Sequence, residues 1–143
     1  MKVSTRTQFA LRILIQLGTE TRKGHLLQGK EIAARQGINE PYLEQIMVSL
    51  KKAGVVQTVR GRNGGYLLAR APIDVPLLEV IETFEGELDL SDAKKDGKLA
   101  ESPESVAATS VWAEMTRALR ESAGKITLAS IIDKEHQSLV YVI

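Results

Sequence analysis

Cysteine is absent from this 143-residue chain, and aromatic residues are scarce: two Phe, three Tyr and one Trp. Without a thiol there is no cysteine nucleophile and no thiolate ligand for a metal cluster. Histidine is nearly as rare. His25 and His136 lie far apart in sequence, and each reads as a surface side chain rather than a metal ligand. There is no P-loop and no Gly-x-Ser-x-Gly motif, so catalysis is not expected. No apolar run approaches the roughly 20 residues of a membrane span. The opening Met1-Lys2-Val3-Ser4 turns polar at once and leads into a helix, unlike a signal peptide, so the expected location is the cytoplasm. Hydrophobic content is an ordinary 43%, enough for a core, and the length suits one compact domain or a small domain with an extension.

Net charge is only +1, but it is divided unevenly. Residues 1–72 carry twelve Lys/Arg against four Asp/Glu, whereas residues 73–143 carry seven against fourteen. A basic first half and an acidic second half suggest nucleic acid as the partner of the first and another task for the second.

The pattern along the chain predicts mostly helix. A first helix is expected over Thr5 to Leu17, with Thr5 and Gln8 as a capping box and Phe9, Ala10, Ile13, Leu14 and Leu17 on its buried face. Gly18 to Gly24 reads as a polar turn. A short second helix, Gly29 to Gln36, turns Ile32 and Ala33 inward and stops at Gly37. Asn39 is a good N-cap for a third helix, Pro41 to Ala53, which ends at Gly54. That helix has an inward face of Leu43, Ile46, Met47 and Leu50, and an outward face of Pro41, Glu44, Gln45 and Val48.

Two short strands follow, Val55 to Val59 and Tyr66 to Arg70, joined by Arg60-Gly61-Arg62-Asn63-Gly64-Gly65. Gly61, Gly64 and Gly65 are expected to supply the positive φ values of a tight hairpin. A helix followed at once by a basic hairpin is the layout of a winged helix-turn-helix, with one helix for the major groove and an arm for backbone or minor groove. The predicted fold class is therefore mainly α with a small β-wing, extended by a long dimerisation helix. Residues 1–72 form the DNA-binding domain, 73–104 a connecting helix and loop, and 105–143 the dimerisation helix and a C-terminal extension.

In the second half, Asp74-Val75-Pro76 starts a fourth helix that ends near Gly86. Residues 87–104 read as a polar, mobile loop. A long helix over Ser105 to Ala123 carries Ala108, Val111, Trp112, Met115, Ala118, Leu119 and Ser122 at three- and four-residue steps. A stripe of that length late in a small chain is best covered by a second copy, so a homodimer is expected. Thr127 to Lys134 reads as a last short helix, and Ser138 to Ile143 as a short strand or docked extension.

The chemistry of such a protein divides between positioning and reading. Lys2 and Arg6 near the start of helix one, Lys51 and Lys52 at the end of helix three, and Arg62 in the wing suit phosphate contacts. Gln45 can pair bidentately with adenine, and Glu44 can accept from the cytosine amino group. Tyr42 suits a phosphate or a thymine methyl, and Arg60 a narrow minor groove. Glu44 as a plain solvated charge is the alternative.

The combination Tyr42-Leu43-Glu44-Gln45, Val59-Arg60-Gly61 and Gly64-Gly65-Tyr66-Leu67-Leu68 resembles the bacterial IscR/NsrR/CymR family of winged-helix regulators. The likeness extends through Glu85-Gly86, Val111-Trp112 and Ile126-Thr127-Leu128. It implies a homodimer crossed through the long helix, bound to a near-palindromic double-stranded operator. Tyr42, Glu44 and Gln45 map onto its recognition helix and Arg60 onto its wing arginine. Pro41 stands where a contacting Ser often sits.

The resemblance also implies an iron–sulfur cluster, a 2Fe–2S cluster held by three cysteines before the long helix. This chain has none, and Ala93, Ala100 and Ala107, spaced by seven, lie about where those cysteines fall. Two readings stay open: a cluster regulator whose ligands have been replaced by alanine, hence an apo form, or a member that is naturally cluster-free. The first implies control of cluster-biogenesis genes. The second implies a repressor of cysteine and sulfur metabolism. Its partner enzyme would be of the sulfhydrylase type, because the ending Tyr141-Val142-Ile143 is similar to the tail that serine acetyltransferases insert into that enzyme. A winged helix serving only protein contacts is the third alternative.

Overall fold

The computed structural model describes residues 2–91 and 102–134. Its elements run α1 (Thr5–Arg22), α2 (Gly29–Gln36), α3 (Glu40–Lys52), β1 (Val56–Val59), β2 (Gly65–Leu68), α4 (Leu77–Glu85) and α5 (Pro103–Lys125). Residues 128–134 form a last helical segment. The tail from 138 onward, His136, Ala93 and Ala100 lie outside the described residues.

Helix α1 is a turn longer than its sequence suggests, because Gly18 is a packing residue and not a breaker. A Cβ there would sit 2.3 Å from Ile132 Cδ1, so the glycine lets the C-terminal helical segment lie directly on α1. The N-cap also shifts by one position. Ser4, not Thr5, accepts the Thr7 backbone N–H (3.3 Å), and Gln8 donates back to the Val3 carbonyl (2.9 Å). α2 ends at Gly37 with φ 70°, and α3 starts under Asn39, whose side chain accepts from Tyr42 N–H at 2.8 Å.

One core joins these elements. Ile13, Leu14 and Leu17 of α1, Ile32 of α2, and Leu43, Ile46 and Leu50 of α3 are fully buried against Val55 and Val56. Each such aliphatic side chain contributes about 1.5–3 kcal/mol by leaving water. Leu128 and Ile132 belong to the same core. The chain after α5 therefore returns to the N-terminal half, and backbone bonds from Leu77 N–H to Ile126 O (2.8 Å) and from Leu128 N–H to Val75 O (2.9 Å) hold it there.

The wing is a two-stranded antiparallel ribbon with Val56 opposite Leu68 and Val59 opposite Gly65. Leu27, just before α2, bridges Tyr66 by a reciprocal pair of backbone bonds (2.7 and 3.2 Å), which ties the ribbon to the helical core. That bridge explains a glycine misassigned from sequence. Only Gly61 of the three wing glycines has a positive φ, 111°. Gly64 and Gly65 are required by close approach instead: a Cβ would lie 2.0 Å from the Val59 carbonyl oxygen and 2.6 Å from that of Leu27.

Candidate nucleic-acid interface

α3 presents two faces of opposite character. Leu43, Ile46, Met47 and Leu50 are buried, and Pro41, Glu44, Gln45 and Val48 are exposed, as the 3.6-residue period predicts. Tyr42 is half-buried between them. Its ring packs edge-on against Phe9 of α1, with centroids 6.1 Å apart, so α1 fixes the start of α3. Arg12 lies over the Phe9 ring (4.8 Å) and donates to Gln36 at 3.1 Å, extending the same bracket to α2. Arg6 is one turn before Phe9 and exposed, which sets it beside this bracket.

The wing is held to α3 at its base. Lys51 Nζ donates to Thr58 Oγ1 of β1 (3.3 Å). Tyr66 of β2 is half-buried, and burial together with the nearby Glu44 carboxylate pushes its phenol above the usual range. Tyr66 also packs against the hydrophobic core. Arg70, just past β2, closes the base. It donates to the Gly54 carbonyl at the end of α3 (3.2 Å), to the Asp74 carbonyl (3.2 Å) and, as a fork, to both carboxylate oxygens of Glu79 in α4.

The cations sort into two sets. Arg12, Arg22, Lys23, Lys51, Arg70 and Arg120 are taken up by bonds or ion pairs within the chain. Lys2, Arg6, Lys30, Arg35, Lys52, Arg60, Arg62, Arg117 and Lys125 are exposed and make no such bond among the described residues. Lys51, expected to be a phosphate ligand, is thus partly a structural link between α3 and the wing. Lys30 was not anticipated. It sits in the first turn of α2, the helix that crosses the DNA backbone in a helix-turn-helix, and that geometry is the signal that points to it. Lys2 stands apart from this group, on the rim of an apolar groove of about 520 Å³ between α4 and α5. Glu44 and Gln45 share the exposed face of α3 with Val48, 53% exposed.

Nothing in this arrangement suits a thiolate-held cluster. The sequence has no cysteine, and the described residues contain no group of three His, Asp or Glu that could hold a metal ion. Ala107 is exposed on the second turn of α5. No helix among the described residues is long and apolar enough to cross a membrane.

A tri-helical core, an exposed polar face on the third helix and a basic ribbon tied to its base define a winged helix-turn-helix protein. The chain belongs to the Rrf2 family of transcriptional regulators, whose description is iron-dependent transcriptional regulator and whose pattern matches residues 3–134. It is 41% identical over 86 residues to the regulator IscR of Cereibacter sphaeroides, covering 59% of this chain and only 56% of that protein. It is 30% identical to CymR of Bacillus subtilis over 146 residues, end to end in both. Among solved structures, T. potens IscR has a TM-score of 0.78 at 34% identity, covering 96% of this chain and 90% of that one. CymR, the global cysteine regulator of B. subtilis, has a TM-score of 0.78 at 28% identity, with 94% and 98% covered.

Proposed function

We propose that this regulator acts as a homodimer that binds a two-part operator, reading bases with α3 and gripping the duplex with the wing. Gln45 and Glu44 meet base edges, and Tyr42 lies at the margin of the groove. Arg60 enters the minor groove, and Arg62, Arg6, Lys30 and Lys52 neutralise phosphates, with Lys2 at the periphery. The observation that carries the reading is the sorting of the cations. Among the described residues, Lys52 of α3 and Arg60 and Arg62 of the wing are exposed with no bond within the chain, whereas Lys51 and Arg70 at the base of the wing are bonded. α5 supplies the dimer contact. Val111, Trp112, Met115 and Leu119 are 50%, 47%, 42% and 41% exposed along one stripe, and only Ala123 of the helix is buried.

Two gene sets compete as the target. Control of iron–sulfur cluster biogenesis by a cysteine-free apo protein is supported by the likeness to IscR in sequence and structure. Control of cysteine or sulfur metabolism, with a sulfhydrylase-type partner at Tyr141-Val142-Ile143, is supported by the end-to-end CymR likeness. Selection of bound genomic fragments by the purified protein at physiological salt separates them. Enrichment of cluster-assembly promoters favours the first, sulfur genes the second, and no enrichment at all overturns sequence-specific binding. The cluster question has its own test. A triple variant, Ala93→Cys with Ala100→Cys and Ala107→Cys, reconstituted without oxygen, becomes coloured and iron-loaded if those positions stand for lost ligands. A colourless product rejects that idea.

A further inference from the structure

Helix α4 carries Glu79, Glu82 and Glu85 one turn apart, and each bonds a different element. Glu79 takes the fork of Arg70 at the base of the wing. Glu85 Oε1 accepts Ser4 N–H (2.9 Å) and Thr7 Oγ1–H (2.6 Å) at the start of α1. Both bonds lock α4 into the DNA-binding unit. Glu82, between them on the helix, bonds α5 instead. Its Oε2 accepts from Arg120 Nη1 of α5 (2.9 Å) and from Leu88 N–H (3.0 Å), and Arg120 Nη1 also reaches the Leu88 carbonyl (3.3 Å). One turn earlier on α5, Thr116 Oγ1 accepts Leu90 N–H at 3.0 Å.

Among the described residues, the other bonds that hold α5 lie just past its C-terminal end, where Leu77 N–H meets the Ile126 carbonyl (2.8 Å). Its apolar packing onto the rest of the chain is concentrated at its C-terminal end, near Ala123. The arm from Arg120 back to Pro103 is roughly 25 Å long at about 1.5 Å per residue. A tilt of about 10° at the joint would swing the far end by roughly 4 Å, more than the ~3.4 Å rise of one base pair. In a dimer held through α5, such a tilt changes the separation of the two recognition helices, and half-site spacing follows that separation.

We propose that Glu82 and Arg120, closed over the Leu88 backbone, form the joint that fixes α5 against the DNA-binding unit and so determine which half-site spacing the regulator accepts. The inference rests on the reading of α5 as the dimer helix. Glu82 and Arg120 are positioning residues: in this role neither touches DNA.

The test uses the full chain and inverted repeats of its selected half-site, with the spacer lengthened one base pair at a time. Single half-site duplexes and light scattering run alongside. The parent protein is a dimer and prefers one spacing by about 10-fold or more over its neighbours, since a one-pair change both shifts and rotates a half-site. Glu82→Gln and Arg120→Gln bring that preference to within about 2-fold while single half-site affinity and the dimer mass stay unchanged. The double exchange Glu82→Arg with Arg120→Glu restores it, because the exchanged guanidinium can still donate to the Leu88 carbonyl and the exchanged carboxylate can still accept from the Leu88 N–H. Full spacing selectivity in the single variants overturns the proposal. So does a parallel loss of half-site binding that the exchange does not rescue, which would mark the pair as merely structural. A parent protein that is monomeric would instead overturn the dimer reading, and this inference with it, before any variant is made.

Discussion

α3 and α5 are both amphipathic helices with an apolar stripe at three- and four-residue spacing, yet they spend that stripe differently. The stripe of α3 is sealed into the core under α1 and the wing, which leaves Glu44, Gln45 and Val48 outward. The stripe of α5 lies bare from Val111 at 50% exposed to Leu119 at 41%. The comparison shows that an amphipathic pattern specifies a face to be covered, without specifying by what. For α3 the cover is local chain, brought in by a turn of a few residues. For α5 the described residues cover only the C-terminal end, and a second copy is the cover proposed for the remainder.

The sharpest way to break that contrast is to charge the α5 stripe. Trp112→Glu together with Met115→Glu is expected to give a folded monomer whose affinity for a two-half-site operator falls by roughly 100-fold or more, because the second half-site no longer binds intramolecularly. Light scattering and circular dichroism check the two halves of that statement, and a variant that stays dimeric would show that another surface does the pairing. The matching change in α3 is Ile46→Ala. It is expected to cost about 2–5 kcal/mol of fold stability in denaturant, since the cavity opens inside one molecule. If the α5 change unfolded the chain and the α3 change did not, the contrast would be inverted.

A smaller effect is expected at the wing. Arg60→Ala should weaken operator binding by about 1–3 kcal/mol and leave the thermal midpoint unchanged, as read by fluorescence anisotropy and a melt. Unchanged operator affinity would remove Arg60 from the interface. The smallest effect concerns pH. Hydrogen bonds from Ser4 and Thr7 hold the Glu85 carboxyl below its ordinary value. A depressed folded value means that the stabilisation is complete above the unfolded pKa, about 4.3 for glutamate, and is lost as pH falls through the lower folded value. Glu85→Gln is therefore expected to flatten the acid limb of a stability–pH curve and leave neutral pH little affected by titration. An acid limb identical to that of the parent would reject the assignment.

Much of the reading half was legible in the residues. Asn39 before Glu40-Pro41 and Gly54 after Lys52 bound α3 within a residue, because caps act locally on free backbone groups. The inward and outward lists for α3 were right for the same reason: helical period is a local property. Gly18 was misread, since a glycine that admits a neighbouring side chain looks the same in sequence as one that ends a helix. Gly64 and Gly65 were recognised as special for the wrong reason. Positive φ is a local demand, whereas a carbonyl 2.0 Å from a would-be Cβ is imposed by another strand. Lys51 could not be told from Lys52 in sequence, and only the fold brings Thr58 within reach of one of them.

The residues by themselves determined the helix–helix–helix–hairpin order, the polar face of α3, the basic character of the first half and the lack of any thiolate ligand. All of these follow from composition, period and capping, which depend on near neighbours in the chain. The tertiary structure alone decided which cations are free, that the chain after α5 returns to the first core, and that Glu79, Glu82 and Glu85 bond three different elements. Those outcomes depend on contacts between residues of different elements, seven positions apart for Lys51 and Thr58 and 78 for Thr7 and Glu85, and such contacts are set by how whole elements pack together.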